Sequence, residues 1–235
     1  MLKKLLKIIG ILLLILVVGF GLIFAIYNEP LPEGRSGPEA DALAQKMLNS
    51  LNYEKYKNTR FIEWSFRNAS HFYQWDRANA KVEVQWDEYR VNLDLIAPFS
   101  SIGYKNGKRL NANENKDVVE DAIDFYNNDS FWLVAPYKVF DSGTKREIVT
   151  LEDGSDGLLV TFSSGGSTPG DSYLWILQPS GFPKSFKIWA KIIPIGGVEA
   201  TWDEWLVTDS GAFLPKSHEM GPLEFSMGDV KGYNH

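Results

Sequence analysis

The stretch Ser70–Arg77, SHFYQWDR, places a histidine, an acid, a base and three aromatics within eight residues. A histidine held by a carboxylate is the pair that general-base chemistry needs. Parity argues against that pair here. Positions 71 and 76 differ by an odd number, so on a strand their side chains leave opposite faces. No carboxylate accompanies His71 locally. The residue reads as a packed histidine of an aromatic face rather than as a base.

Other chemistry-bearing patterns fall short in similar ways. His218-Glu219-Met220 opens like a zinc-protease motif but has no second histidine. The chain has three histidines, His71, His218 and His235, and no cysteine, so neither a metal site nor a cofactor is expected. Gly165-Gly166-Ser167-Thr168-Pro169-Gly170 lacks the glycine two residues after Ser167 that a nucleophile elbow needs, and the lysine of a phosphate loop. It reads as a strand-to-strand loop. Asp153-Gly154-Ser155-Asp156-Gly157 lacks the alternating acids and closing glutamate of a calcium loop and reads as a hairpin turn. The sequons at Asn68 and Asn128 are short enough to arise by chance.

The elements around SHFYQWDR account for its composition. A two-residue turn at Asn68-Ala69 sets Phe66 opposite His71, Trp64 opposite Tyr73 and Ile62 opposite Trp75. A second turn at Ala78-Asn79 sets Trp75 opposite Val82, Tyr73 opposite Val84 and His71 opposite Trp86. A third at Glu88-Tyr89, flanked by Asp87 and Arg90, sets Trp86 opposite Val91, Val84 opposite Leu93 and Val82 opposite Leu95. One face of this four-strand meander then collects the large apolar residues. The other collects Glu63, Gln74, Asp76, Lys81 and Glu83, with Asp76 opposite Lys81 and with Phe61 and Phe72 partly covered. A slip of one residue would scramble both faces. The expected ligand-facing wall is Trp64, Phe66, His71, Tyr73, Trp75, Val84, Trp86 and Leu93. The eight tryptophans of the chain otherwise read as core.

Beyond the meander, Pro38 opens a helix whose Ala40, Leu43, Ala44, Met47, Leu48 and Leu51 form one apolar stripe. Asn106-Gly107 marks a hairpin, and a second helix is expected over 115–127. Further strands are expected at 131–134, 145–151, 158–162, 172–177, 185–192, 199–207, 213–219 and 223–230. The resulting fold class is mainly β (α+β). One large, curved antiparallel sheet forms an unclosed β-barrel, with about two helices in its concavity. A closed barrel with peripheral helices is the rival.

The N-terminus differs from everything after it. Lys3, Lys4 and Lys7 precede twenty uncharged residues, Ile8–Tyr27. That length crosses the roughly 30 Å hydrocarbon core of a bilayer. No small-residue cleavage site follows, which favours an uncleaved signal anchor over a cleaved signal peptide. The expected order is a cytoplasmic basic segment (1–7), a transmembrane helix (8–27), a Pro/Gly linker (28–37) and an exported domain (38–235). The exported part keeps 21 of the 24 basic residues and all 30 acidic ones, a net charge of −9. That balance disfavours nucleic acid and anionic lipid headgroups as partners across its whole surface.

Several segments together resemble a group of uncharacterised bacterial envelope proteins. These are Ala40–Ala44, Thr59–Phe66, Tyr73–Arg77, Phe131–Lys138 and Ser180–Pro183. The group in turn resembles the periplasmic lipoprotein carriers LolA and LolB, across about residues 38 to 220. The resemblance implies an unclosed β-barrel with a helical lid over an apolar cavity. It also implies placement on the inner membrane with the C-terminal domain in the periplasm. A helix-anchored chain departs from those carriers, since a tethered domain does not shuttle cargo. The expected function is non-catalytic binding of a lipid or acyl chain in an aromatic-lined cavity. A closed-core module that docks other envelope proteins is the alternative, and an enzyme stands third.

Overall fold

The computed structural model describes residues 2–164 and 169–235. Of the loop expected at Gly165–Gly170, residues 165–168 lie outside them. The protein is mainly β, with four α-helices and fifteen strands among the described residues.

Helix α1, Leu2–Tyr27, contains a strongly apolar span, Leu6–Tyr27, with Lys7 its one charged residue and none of its described side chains buried against the protein. At about 1.5 Å per residue these 22 residues reach about 33 Å, enough to cross a membrane. Helix α2, Pro38–Ser50, begins with proline at its first position, where a missing N–H costs nothing, and buries Ala40, Ala44, Met47 and Leu48. A short helix α3, Tyr53–Asn58, follows and was not expected. Helix α4, Ala112–Val134, is capped by Asn111, whose side chain accepts from the Asn113 and Glu114 amides at 3.1 Å each.

The strands are β1 (Phe61–Phe66), β2 (His71–Asp76), β3 (Lys81–Trp86), β4 (Tyr89–Asp94), β5 (Ile102–Lys105) and β6 (Lys108–Arg109). After α4 come β7 (Thr144–Thr150), β8 (Asp156–Phe162), β9 (Asp171–Leu177), β10 (Pro183–Trp189) and β11 (Val198–Thr201). The last are β12 (Glu204–Val207), β13 (Phe213–Met220), β14 (Leu223–Ser226) and β15 (Lys231–Tyr233). They form three antiparallel sheets in place of the single sheet expected. These have seven strands (β15-β1-β2-β3-β4-β5-β6), five (β11-β10-β9-β8-β7) and three (β12-β13-β14). None closes on itself. Hydrogen bonds link their margins: Ser65 N donates to Met227 O at 3.1 Å, and Glu219 N to Thr201 Oγ1 at 2.9 Å. One core spans all three sheets, from Trp64 and Leu93 through Leu158 and Phe186 to Trp202 and Leu214.

The first two hairpins of the meander have the expected register: Phe66 faces His71, Trp64 faces Tyr73, and His71 faces Trp86. The third differs. Trp86 faces Tyr89, Val84 faces Val91 and Val82 faces Leu93, so the turn falls on Asp87-Glu88. Asp87 takes a left-handed φ of 44°, which a short polar side chain tolerates, while Tyr89 stacks on Trp86 with ring centroids 5.5 Å apart. The shift is two residues, an even number, so every side chain keeps its face.

Three other expectations change. Residues 131–134 continue α4 instead of forming a strand, because Ser130, Leu133 and Val134 prolong its buried face. A short apolar run fits either period. The run 199–207 breaks at Trp202-Asp203 into β11 and β12, which belong to different sheets. The run 223–230 ends at Ser226, and β15 returns to pair with β1.

Candidate functional site

The eight residues expected to line a cavity do meet on one face, but α4 fills the space in front of them. Trp64, Phe66, His71, Tyr73, Val84, Trp86 and Leu93 are buried, and Trp75 is partly so. Tyr126 of α4 sits 6.4 Å from Trp64 and 5.6 Å from Trp75, ring to ring. Phe125 lies 4.3 Å from the His71 ring and 5.3 Å from Trp86. At such spacings aromatic rings touch, so the wall is packed core.

A polar cluster is sealed inside this packing. His71 Nδ1 lies 2.7 Å from Asp129 Oδ2, and the Tyr73 hydroxyl donates to the same oxygen at 2.6 Å. Asn128 Nδ2 donates to Asp129 Oδ1 at 2.8 Å, and Arg67 Nε stands 4.0 Å from that oxygen. Asp129 itself has no exposed surface. A buried carboxylate is tolerated only where donors replace its water, and here three side chains donate while a cation stands nearby. Burial, reinforced by the Asp129 charge, raises the Tyr73 phenol far above its ordinary pKa, so it remains a donor. The histidine therefore does have a carboxylate partner, 58 residues away in sequence. Only the arrival of α4 supplies it.

The His–Asp geometry is that of a base with its orienting acid, but its position is not. His71 is 7% exposed and Phe125 covers its ring, so a substrate has no approach to it. What the cluster does is pin α4 to β2.

The opposite face of the meander is polar, as expected. Its ion pairs are not the facing pair Asp76 and Lys81. Asp76 is held instead by Arg60 at 3.2 Å, and Lys81 by Asp94. Tyr233 of β15 stacks on Phe61 at 5.2 Å, which covers that ring, while Phe72 remains half exposed. Glu63, Gln74, Glu83 and Lys231 line a cleft of about 380 Å³ on this face.

The larger of the two described clefts, about 740 Å³, was not anticipated. It lies between the loop 95–101, the start of β5 and the N-terminal half of α4. Ile102, Leu110, Val119 and Ile123 give it apolar walls, while Arg109, Lys116 and Glu120 line its polar part. At its margin Phe99 is 93% exposed, and in the same loop Ile96 is 82% exposed. The signal in the sequence was Ile96-Ala97-Pro98-Phe99, an apolar run directly after β4.

Arg77, at the end of β2, is held between rings. Its guanidinium lies 4.1 Å from the Tyr56 ring and 5.3 Å from Trp75, and it donates to the carbonyls of Tyr56 and of Thr59. Burial pushes the Tyr56 phenol up to about 12 against the opposing pull of Arg77. His218 is fully buried in the three-stranded sheet. Its Nδ1 lies 2.8 Å from Thr201 O and its Nε2 2.7 Å from Trp132 O. Burial holds its pKa below the ordinary histidine value, although both carbonyls pull the other way. Among the described residues no group of three or more His, Cys, Asp or Glu side chains could hold a metal. The turn at Asp153–Gly154 joins β7 to β8, as read from the sequence.

Compared with known protein families and with curated proteins, the chain matches neither a family nor an individual protein.

Proposed function

We propose that this is a membrane-tethered domain of a bacterial envelope, on the periplasmic side of the inner membrane, that holds a lipid acyl chain. The observation that carries this reading is the cleft beside α4, apolar on its inner walls and bordered by the exposed Phe99. A concave cleft with apolar walls and a few polar groups is the usual form of a site for an apolar ligand. The ligand site thus moves from the aromatic wall, which α4 occupies, to the wall's margin. The resemblance to the LolA and LolB carriers agrees with it. On this reading the three sheets, joined edge to edge, act as one unclosed wall with α2, α3 and α4 inside. The basic residues at the start of α1, Lys3, Lys4 and Lys7, and the absence of others directly after it favour a cytoplasmic N-terminus.

The test is photo-crosslinking of full-length protein, in its native membrane, to a fatty acid carrying a diazirine. Adducts are expected on peptides containing Phe99 or Ile123. Ala112→Trp, which fills the cleft from an exposed position at the start of α4, should abolish them. Adducts spread over the surface, or unchanged by that substitution, would overturn the reading.

A second reading, a closed-core module that docks another envelope protein, is favoured by the packed aromatic wall and the Asp129 cluster. In that case crosslinks from Phe99 would run to protein and not to lipid.

A further inference from the structure

The segment read as a linker, residues 28–37, is held against the domain. Glu29 N donates to Gly196 O at 3.0 Å, and Gly196 N returns a bond to Asn28 Oδ1 at 2.9 Å. The Trp189 indole donates to Glu29 O at 2.8 Å, and Lys187 Nζ reaches both Glu29 carboxylate oxygens at 2.7 Å. Gly196 has no room for a side chain, since a Cβ there would stand 2.7 Å from Glu29 O. Arg35 then pairs with Ile148 on β7, with backbone bonds of 2.9 Å in both directions. Between these two attachments the segment crosses the outer face of the five-stranded sheet. There Val149, Leu159 and Leu174 form a second small core, flanked by Leu151 and Trp189.

This attachment fixes where one end of the domain stands. Helix α1 ends at Tyr27, and Asn28 N still donates to Phe24 O at 2.9 Å. Asn28 and Glu29 are therefore within about 7 Å of the end of the apolar span, because an extended residue covers at most about 3.6 Å. The loop 190–197 is tied to them through Gly196. It reads Ala190-Lys191-Ile192-Ile193-Pro194-Ile195-Gly196-Gly197, with Ile192 70% exposed.

We propose that the loop 190–195 is a second membrane contact. It rests in the headgroup region of the bilayer that α1 crosses, with Ile192 inserted and Trp189 and Lys191 at the interface. An exposed isoleucine flanked by lysine, proline and tryptophan is the composition that an interfacial contact uses. The occupant is the bilayer itself, argued from covalent continuity: this inference rests on α1 being inserted, which brings the membrane to the segment that Gly196 binds. The contact orients the domain. The five-stranded sheet stands with the β9 start and the β10 end toward the membrane, and its β7–β8 turn points away.

The chain has no cysteine, so single thiols can be placed at will. Full-length Ile192→Cys, Ile15→Cys and Glu152→Cys, each carrying an environment-sensitive fluorophore, would be inserted into phosphatidylcholine–phosphatidylglycerol nanodiscs containing brominated lipids. Ile15 lies within α1, and Glu152 lies in the β7–β8 turn, a strand length of about 23 Å from the loop. The Ile192 label should be quenched several-fold more than the Glu152 label, most strongly by bromines near the headgroup. The Ile15 label should respond to deep bromines. An Ile192 label as unquenched as Glu152, with Ile15 quenched, would show a domain standing off the membrane and overturn the proposal. An unquenched Ile15 label would overturn it at its root, since α1 would then not be inserted.

Discussion

Two buried histidines divide the core between them. His71 in the seven-stranded sheet faces the carboxylate of Asp129, with Tyr73 on the same oxygen and Arg67 nearby. His218 in the three-stranded sheet faces two backbone carbonyls and the ring of Trp202, whose centroid is 4.4 Å away. The first belongs to a network of side chains gathered around a buried carboxyl group. The second is a polar group in an aromatic box, where burial resists any charge. Both tie distant segments together, one through a carboxyl group and the side chains around it, the other through a ring set between two strands and a helix.

The contrast is most sharply tested at Asp129. Asp129→Ala leaves His71 and Tyr73 buried without their acceptor and should cost about 3–5 kcal/mol in urea unfolding. Asp129→Asn, which can still accept from both, should recover part of that loss. A fully stable Asp129→Ala variant would show that the cluster does not hold α4.

Removing the other histidine should cost less. His218→Leu keeps the volume but removes the ring nitrogens that lie against Thr201 O and Trp132 O, an expected loss of about 1–3 kcal/mol in the same measurement. Acid reads the pair more gently. Because the folded state holds the His218 pKa below its unfolded value, the unfolded chain binds that proton more readily. Stability should therefore fall as pH drops below about 6.5, the ordinary histidine value, until the folded pKa is passed. His218→Leu should lose that part of the slope. A slope unchanged by the substitution would contradict the assignment.

Tyr73→Phe takes one donor from Asp129 and leaves His71 and Asn128 in place, so about 1 kcal/mol is expected. The smallest effect on folding belongs to the open region. Phe99→Ser, at a 93% exposed position, should move stability by no more than about 0.5 kcal/mol while lowering capture of the acyl probe. A change of several kcal/mol would place Phe99 in the core and end its candidacy as a ligand contact.

Alternation made the meander legible. Phe66, His71, Tyr73, Trp75, Val82, Val84 and Trp86 occupy their expected positions because one slip would expose them all. The third turn was misplaced by one residue and its strand pairing by two, since parity constrains the face but not the turn, and a left-handed Asp87 decided the turn. Phe131–Val134 was misread because four apolar residues carry no period of their own. The break at Trp202-Asp203 was invisible for a similar reason: the flanking strands alternate normally, and only their membership in different sheets separates them.

The sequence by itself determined what depends on local periodicity and hydropathy. That includes an N-terminal helix apolar enough to cross a membrane, the mainly antiparallel β content, and which residues of the meander face inward. Only the tertiary structure decided what faces them. α4 closes the aromatic wall, Asp129 reaches His71 across 58 residues, and Gly196 binds the segment that follows α1. Periodicity acts between neighbours in the chain, whereas these contacts join residues that only the packed fold brings together. SHFYQWDR thus holds half of a His–Asp pair, and the acid it lacks comes from a helix laid across it.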